Sequence, residues 1–145
     1  MREILFRGKT TENRWVEGTY FKHDTVKVCF SSDDPKPRHL IIQDGFCDWG
    51  FEPPIHCVDV APDTVGQFTG KTDKNGKRIF EGDVVRFDSG VFVVRFYDCR
   101  MGFGFSGQFG RGCVAGFTMT NWEDIEVIGN IHDNPELLGS VGDGN

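Results

Sequence analysis

The stretch from Val65 to Phe87, VGQFTGKTDKNGKRIFEGDVVRF, holds two short apolar runs on either side of Asn75-Gly76. Asparagine and glycine both accept positive φ at low cost, as a tight hairpin turn requires. The sequence therefore predicts a β-hairpin with arms at 65–71 and 77–80. Glu81-Gly82-Asp83 then predicts a bend into a further apolar strand. We interpret this stretch as the corner of a small antiparallel barrel.

Composition supports a β-rich chain. The 145 residues include 19 glycines and 14 phenylalanines but only two tyrosines. Glycine disfavours helices and phenylalanine favours strands, so short strands and frequent turns are predicted. The length fits one domain, or two very small ones that share a core.

Strands are predicted where apolar residues alternate or cluster between turn signals. Beyond the hairpin at 65–80, these are 4–8, 15–21, 26–30, 39–43, 55–60, 84–87, 91–97, 114–120 and 125–131. Residues 31–38 and 109–112 are predicted as loops, and 46–54 receives no assignment.

Three segments carry more specific predictions. Strand 91–97 is interrupted only by Arg95, which indicates a central strand covered on both faces. Glycine alternates with phenylalanine at 102–105, which favours sharp curvature or close backbone approach. Asn134-Pro135 is typical of a helix start and predicts one helical turn at 136–138.

Charge and cysteine content limit the class of protein. The formal net charge is −6, which disfavours tight nonspecific binding to nucleic acid or anionic membrane. Residues 66–118 nevertheless carry 8 basic and 5 acidic side chains, whereas 119–145 carry six acidic and no basic ones. No apolar run reaches the length of a membrane helix, and the first residues lack a signal-peptide pattern. Five cysteines without a CxxC pair favour free thiols in a reducing, soluble compartment.

Three blocks of the sequence resemble the YopX family of phage and prophage proteins. They are MREILFRGKTTENRWVEG (1–18), VDVAPDTVGQFTGKTDKNGKRIFEGDVV (58–85) and EVIGNIHDNPELL (126–138). The resemblance implies an SH3-like β-barrel in the C-terminal half. It also implies a phage-encoded protein in the cytoplasm of a bacterial host, and it carries over no catalytic residue and no cofactor.

Together these patterns predict a mainly β protein. N-terminal antiparallel strands (1–57) are expected to pack on a C-terminal SH3-like barrel (58–132). A short helical turn and a tail (133–145) follow.

Metal and cofactor sites are not predicted. His56 and Cys57 are adjacent on a strand, so they point to opposite faces and do not easily share one ion. The remaining cysteines and histidines show no pair of close ligands, as structural zinc sites do. Buried free thiols are the expected state of the cysteines.

The carboxylates of Asp73, Glu81 and Asp83 are the candidates for hydrolase chemistry, which is the least favoured function. Structural roles suit them better, because Asp73 fits the hairpin turn and Asp83 fits a bend. The glycine-rich segment 102–112 carries phenylalanine where a phosphate-binding loop needs small residues. No catalytic residue is therefore assigned.

The favoured function is a non-enzymatic protein-binding or assembly module, with a protein partner or a second copy of the chain. The alternative is a small barrel that binds single-stranded DNA or RNA through rings and arginines, although most of the rings are expected in the core. The protein contact is expected at an exposed barrel edge or in the Gly/Phe segment 101–112. The residues predicted to contribute to the contact surface for either function are Lys74, Arg100, Phe103, Phe105, Phe109 and Arg111.

Overall fold

The computed structural model describes residues 3–24, 36–44, 55–87, 90–107, 114–116 (backbone only) and 124–138. The chain divides into two compact units, Ile4–Gly66 and Gln67–Asn145, the second including Met1–Glu3. As predicted, the described residues are mainly β, and their strands pair antiparallel. Within these ranges the helices are short 3₁₀ turns, and the strands do not close into a barrel.

The N-terminal unit contains a four-stranded antiparallel arrangement in the order β4-β3-β2-β1. Its strands are β1 (Phe6–Lys9), β2 (Trp15–His23), β3 (Arg38–Asp44) and β4 (Ile55–Asp59), followed by a 3₁₀ turn at Pro62–Thr64. The predicted N-terminal hairpin and the strands at 39–43 and 55–60 are confirmed. The predicted strand 26–30 and the unassigned segment 46–54 lie outside the described residues.

The centre of this unit lies on β3. Ile41 is fully buried, and it pairs with Tyr20 on one side and Val58 on the other. The Tyr20 hydroxyl and His39 Nδ1 are 2.6 Å apart in a hydrogen bond, which joins two side chains of the same sheet face. The 3₁₀ turn is tied to the first strand, because the Lys9 N–H donates to the Thr64 hydroxyl at 2.9 Å.

The C-terminal unit contains a five-stranded sheet in the order β10-β9-β8-β7-β11, and a β5-β6 hairpin. The strands are β5 (Gly66–Thr72), β6 (Arg78–Phe80), β7 (Asp83–Phe87), β8 (Gly90–Tyr97), β9 (Gly102–Gly107), β10 (Val114–Gly116) and β11 (Glu126–Asn130). These confirm the predicted hairpin and the strands at 84–87, 91–97 and 125–131. The helical turn predicted at 136–138 is a 3₁₀ turn at Pro135–Leu138.

The core of the C-terminal unit is formed by apolar side chains that alternate along its strands. Phe92 and Val94 on β8 share a face with Phe105, because Val94 pairs directly with Phe105. The cluster comprises Ile79, Val85, Phe92, Val94, Phe105, Ile125 and Val127. Burial of these side chains is the main stabilising contribution of the unit, at roughly 1.5–3 kcal/mol for each large apolar side chain.

The turn at Asn75-Gly76 differs from the prediction. Only Gly76 has positive φ (79°), so the prediction that both residues adopt it is wrong. The turn is longer: the Gly76 N–H donates to the Asp73 carbonyl, and the Asp73 N–H donates to the Lys77 carbonyl. The physical reason is the Asp73 side chain, whose Oδ1 accepts from the N–H groups of Asn75 (2.8 Å) and Lys77 (2.9 Å).

The same turn occurs between β1 and β2. The Asn13 N–H donates to the Thr10 carbonyl, and the Thr10 N–H donates to the Arg14 carbonyl. The Thr10 hydroxyl accepts from the Arg14 N–H at 3.2 Å, in the role of the Asp73 carboxylate. Asn13 takes the left-handed position with φ 65°.

The prediction that β8 is central is confirmed, but the prediction that both of its faces are covered holds only for residues 92–94. Arg95 and Phe96 are exposed. The reason is the length of β7, whose pairing with β8 runs from Phe87–Gly90 to Val84–Val93. Among the described strands, only β9 pairs with β8 beyond Val94, so the last residues of β8 extend past β7.

Candidate functional site

The three candidate carboxylates Asp73, Glu81 and Asp83 all accept hydrogen bonds from backbone N–H groups, Glu81 only weakly from Phe96 at 3.5 Å. Asp83 is 1% exposed, and its Oδ2 accepts from the Phe80 N–H at 2.8 Å across the bend at Gly82. Asp73 is 6% exposed, and its Oδ2 accepts from the Val127 N–H at 3.0 Å in addition to the two bonds within its turn. The predicted turn roles of Asp73 and Asp83 are therefore confirmed.

The Asp73 carboxylate is held in its ionised form. Burial on its own raises the pKa of an acid, but the N–H groups of Val127, Lys77 and Asn75 favour the anion. Their combined effect, with the nearby Lys77 charge, keeps the pKa of Asp73 below its ordinary value. Three N–H donors stabilise the charge of the Asp73 carboxylate, so it has little tendency to take up a proton. The role of Asp73 is therefore structural.

Lys74 lies beside that turn and pairs with β11. Its Nζ is 2.8 Å from Glu126 Oε2, and its N–H donates to the Ile125 carbonyl at 2.8 Å. The Lys74 ammonium, through its hydrogen bond and its charge, lowers the pKa of Glu126. The predicted contact residue Lys74 thus serves to attach the turn to the start of β11.

An apolar group is exposed at the end of the β8–β9 hairpin. Phe96 and Phe103 pair directly across the two strands, with ring centroids 5.3 Å apart at 80° in an edge-to-face arrangement. They continue the core face of Phe92, Val94 and Phe105, but Phe96 is 43% exposed. The row of apolar side chains on this face therefore extends from the core to the surface at the end of the β8–β9 hairpin.

Met101 makes this end of the hairpin unusual. The 3₁₀ turn Asp98–Arg100 leads into Met101, whose backbone lies in the left-handed region at φ 47°. The residue is 88% exposed. A non-glycine residue in this conformation costs about 1–2 kcal/mol, and glycine or asparagine would adopt it more easily.

Arg100 precedes Met101 in the same turn and is exposed. We call Phe96, Arg100, Met101 and Phe103 together the β8–β9 tip. Methionine, arginine and aromatic side chains are the types enriched in protein interfaces. The tip is the candidate functional site of the chain.

The structure brings together two of the six predicted contact residues, Arg100 and Phe103. Phe105 is 6% exposed within the hydrophobic core and is not available as a surface contact. Lys74 belongs to the β5-β6 turn, and Phe109 and Arg111 lie outside the described residues. The predicted contact segment 101–112 includes Met101, but the sequence did not indicate the left-handed backbone of Met101 or the exposure of Phe96.

Cysteine and histidine side chains do not form a cluster in the described part of the chain. Among these residues, no three His, Cys, Asp or Glu side chains lie close enough to hold a metal ion. Cys57 and Cys99 are free thiols, but both are exposed, which corrects the expectation of buried thiols for these two. Cys29, Cys47 and Cys113 lie outside the described ranges.

The fold and the site define an antiparallel β protein that carries an aromatic and basic hairpin end. The model of the YopX protein family matches residues 5–139, so the chain belongs to the YopX family. The sequence matches no curated protein. In the ranges described above, no helix is both long enough and apolar enough to cross a membrane.

Among solved structures, the chain is similar to one described as the crystal structure of protein EF1440 from Enterococcus faecalis. The two are 23% identical, and the match covers 95% of this chain and 99% of that one, with a TM-score of 0.49.

Proposed function

We propose that this protein is a binding module that docks a protein partner on the β8–β9 tip. The observation that carries the proposal is Met101, where an exposed apolar side chain and a left-handed backbone coincide. The left-handed backbone lowers stability, and a glycine that only closed the turn would avoid this strain. Strained residues that persist in this way are concentrated at functional sites.

The neighbours of Met101 supply the rest of a small interface. The exposed Phe96 ring offers a rigid apolar surface, and its edge-to-face contact with Phe103 holds it in one orientation. Met101 adapts to irregular partner surfaces because its side chain is unbranched and polarisable. Arg100 adds a cation with several hydrogen-bond donors at the rim.

The proposal extends to the fold and the origin of the protein. The five-stranded sheet and the β5-β6 hairpin would form the SH3-like barrel unit that the resemblance implies. The protein would act as an accessory factor of a phage or prophage in the cytoplasm of its bacterial host.

Photo-crosslinking from the tip tests the function. Benzoyl-phenylalanine replaces Met101 in one variant and the exposed Thr19 of β2 in a control, and both are irradiated in lysate of a bacterium that carries the gene. We expect defined adducts, with mapped partner peptides, from position 101 only. Phe96→Ser should remove them. Adducts that are equal at both positions, or absent at 101, would refute the proposal.

Binding of single-stranded nucleic acid is the second candidate. It is favoured by the exposed Phe96 ring and the exposed Arg100 of the tip, since rings and arginines bind bases and phosphates. Fluorescence anisotropy with labelled oligo-dT and oligo-rU at about 50 mM salt tests it. Binding that weakens in Arg100→Ala supports this candidate, and absence of binding removes it.

A further inference from the structure

We infer that the protein partner of the β8–β9 tip binds as an extended strand that pairs with β8 at Phe96. This inference rests on the proposed function, because it names the form in which a partner occupies that surface. It is argued from the backbone edge of β8 beyond the end of β7, and from the Glu81 carboxylate that lies on this edge.

The backbone of Phe96 faces the edge of β8 that lies opposite β9. In an antiparallel sheet, the N–H and C=O groups of one residue point to the same edge, and successive residues alternate between the two edges. The Val94 carbonyl accepts from the N–H of Gly82, the residue directly before β7, so Val94 faces the β7 edge. Phe96 lies two residues further along and faces the same edge, where none of the described strands pairs with it.

The Glu81 side chain takes the place of a neighbouring strand at this edge. Glu81 Oε1 accepts from the Phe96 N–H at 3.5 Å, where the carbonyl of a paired residue would otherwise lie. Well-formed N–H···O bonds measure about 2.7–3.2 Å, so this one is weak. Charged side chains on a strand edge prevent unwanted pairing in β proteins. Glu81 is therefore a weakly held blocking group that a partner strand displaces.

The side chains along this edge are accessible and of two chemical types. Phe96 is 43% exposed and Arg95 is also exposed, whereas Val94 is fully buried. Successive side chains of a strand point to opposite faces of the sheet. An added strand therefore meets an apolar ring on one face and a cation on the other.

This pattern defines the chemistry of the occupant. Side chains directly opposite each other in antiparallel strands are in contact, and both apolar pairs and opposite charges stabilise the pairing. The residue opposite Phe96 should be apolar, and its neighbour opposite Arg95 should be acidic. The occupant is therefore an extended segment in which apolar and acidic residues alternate, bound by strand addition to the sheet edge.

A synthetic peptide tests the pairing on the full chain. The probe is fluorescein-labelled EVEVEVE, and fluorescence anisotropy is followed up to about 1 mM protein, since so short an edge binds weakly. We expect saturable binding. N-methylation of the three valines should abolish it, because the residue opposite Phe96 exchanges both hydrogen bonds with it. N-methylation of the two inner glutamates should preserve it, because their N–H groups face away from β8.

Variants of the protein locate the edge. Glu81→Ala should tighten binding several-fold, because it removes the blocking carboxylate. Asp63→Ala removes the same charge at an exposed position of the N-terminal unit and should bind as the wild type does. Phe96→Ser should weaken binding several-fold. The peptide KVKVKVK should also bind more weakly, because its lysines oppose Arg95.

Thermal melts establish that each variant folds, and the comparison of Glu81→Ala with Asp63→Ala decides the question if Phe96→Ser does not. Three results would each overturn the inference: no binding of EVEVEVE to Glu81→Ala, equal binding of the valine-methylated peptide, or equal affinities of Glu81→Ala and Asp63→Ala. In each case, defined protein adducts from position 101 would leave the proposed function intact, with a partner that contacts only the side chains of the tip. Absence of those adducts as well would refute both.

Discussion

The Asp73 carboxylate accepts a hydrogen bond from the Val127 N–H at 3.0 Å, across 54 positions of sequence. The bond connects the β5-β6 turn with the last strand of the five-stranded sheet. Lys74 reinforces the connection through the Ile125 carbonyl and the Glu126 carboxylate. One turn therefore organises both itself and the placement of β11.

Removal of the Asp73 carboxylate should destabilise the protein strongly. Asp73→Ala leaves the N–H groups of Asn75, Lys77 and Val127 without this acceptor, so we expect a loss of about 2–4 kcal/mol in the free energy of unfolding. Asp73→Asn should lose less, because its oxygen can still accept within the turn while its amide faces the Val127 N–H. Urea unfolding measures both variants, and a loss below about 1 kcal/mol in Asp73→Ala would contradict the structural role.

The same carboxylate should make stability depend on pH. The pKa of Asp73 is lower in the folded state than its ordinary value, so its contribution is present at neutral pH and is lost as pH falls through the folded pKa. The wild type should therefore lose more stability than Asp73→Asn between about pH 5 and pH 2.5. Asp59→Asn is the control, since the hydrogen bond from Arg38 lowers the pKa of Asp59 at an exposed site. It should keep most of the acid sensitivity of the wild type.

Positive φ at Gly76 should carry a backbone cost that does not involve crowding. No atom lies within 4 Å of a Cβ added there, so Gly76→Ala tests conformation alone. We expect a loss of about 1–2 kcal/mol. Asn13→Gly at the equivalent position of the first turn should be nearly neutral, because asparagine tolerates this conformation. Equal effects of the two substitutions in thermal unfolding would be inconsistent with this account.

Met101→Gly should separate stability from function. Glycine adopts the left-handed conformation without strain, and Met101 is 88% exposed, so we expect a gain of up to about 1 kcal/mol. The same substitution should weaken binding of a partner to the β8–β9 tip. Thermal unfolding measures the stability, and titration with the partner identified by photo-crosslinking measures the binding. A variant that binds as well as the wild type would show that Met101 has no role in recognition.

Two glycines of β9 should respond differently to a methyl group. A Cβ on Gly107 would overlap the ring of Phe92 in the core, so Gly107→Ala should cost about 1–3 kcal/mol. A Cβ on Gly102 would meet its nearest neighbour, the Arg100 carbonyl oxygen, at 3.7 Å, which is ordinary contact. Gly102→Ala should change stability by less than about 0.5 kcal/mol in urea unfolding. Similar losses in both variants would show that β9 requires glycine for another reason.

The site was only partly predictable from the amino-acid sequence. Rings and cations interleave in that segment, and this pattern predicts Arg100 and Phe103 as contact residues. The sequence placed Phe105 beside them, but the pairing of Val94 with Phe105 directs that ring into the core. A period of two residues puts Phe103 and Phe105 on the same face of β9, so periodicity alone does not distinguish a buried ring from a partly exposed one.

Local sequence determined the strands and their turns. Alternating apolar residues, turn glycines and the side chains of Asp73 and Asp83 act over a few positions, and these interactions are encoded in adjacent residues. The tertiary structure alone decided where the sheet ends. β7 pairs with β8 only as far as Val84–Val93, which leaves Phe96 and Met101 exposed, and Asp73 finds Val127 only when distant strands meet. Exposure and long-range hydrogen bonds depend on which segments become neighbours in space.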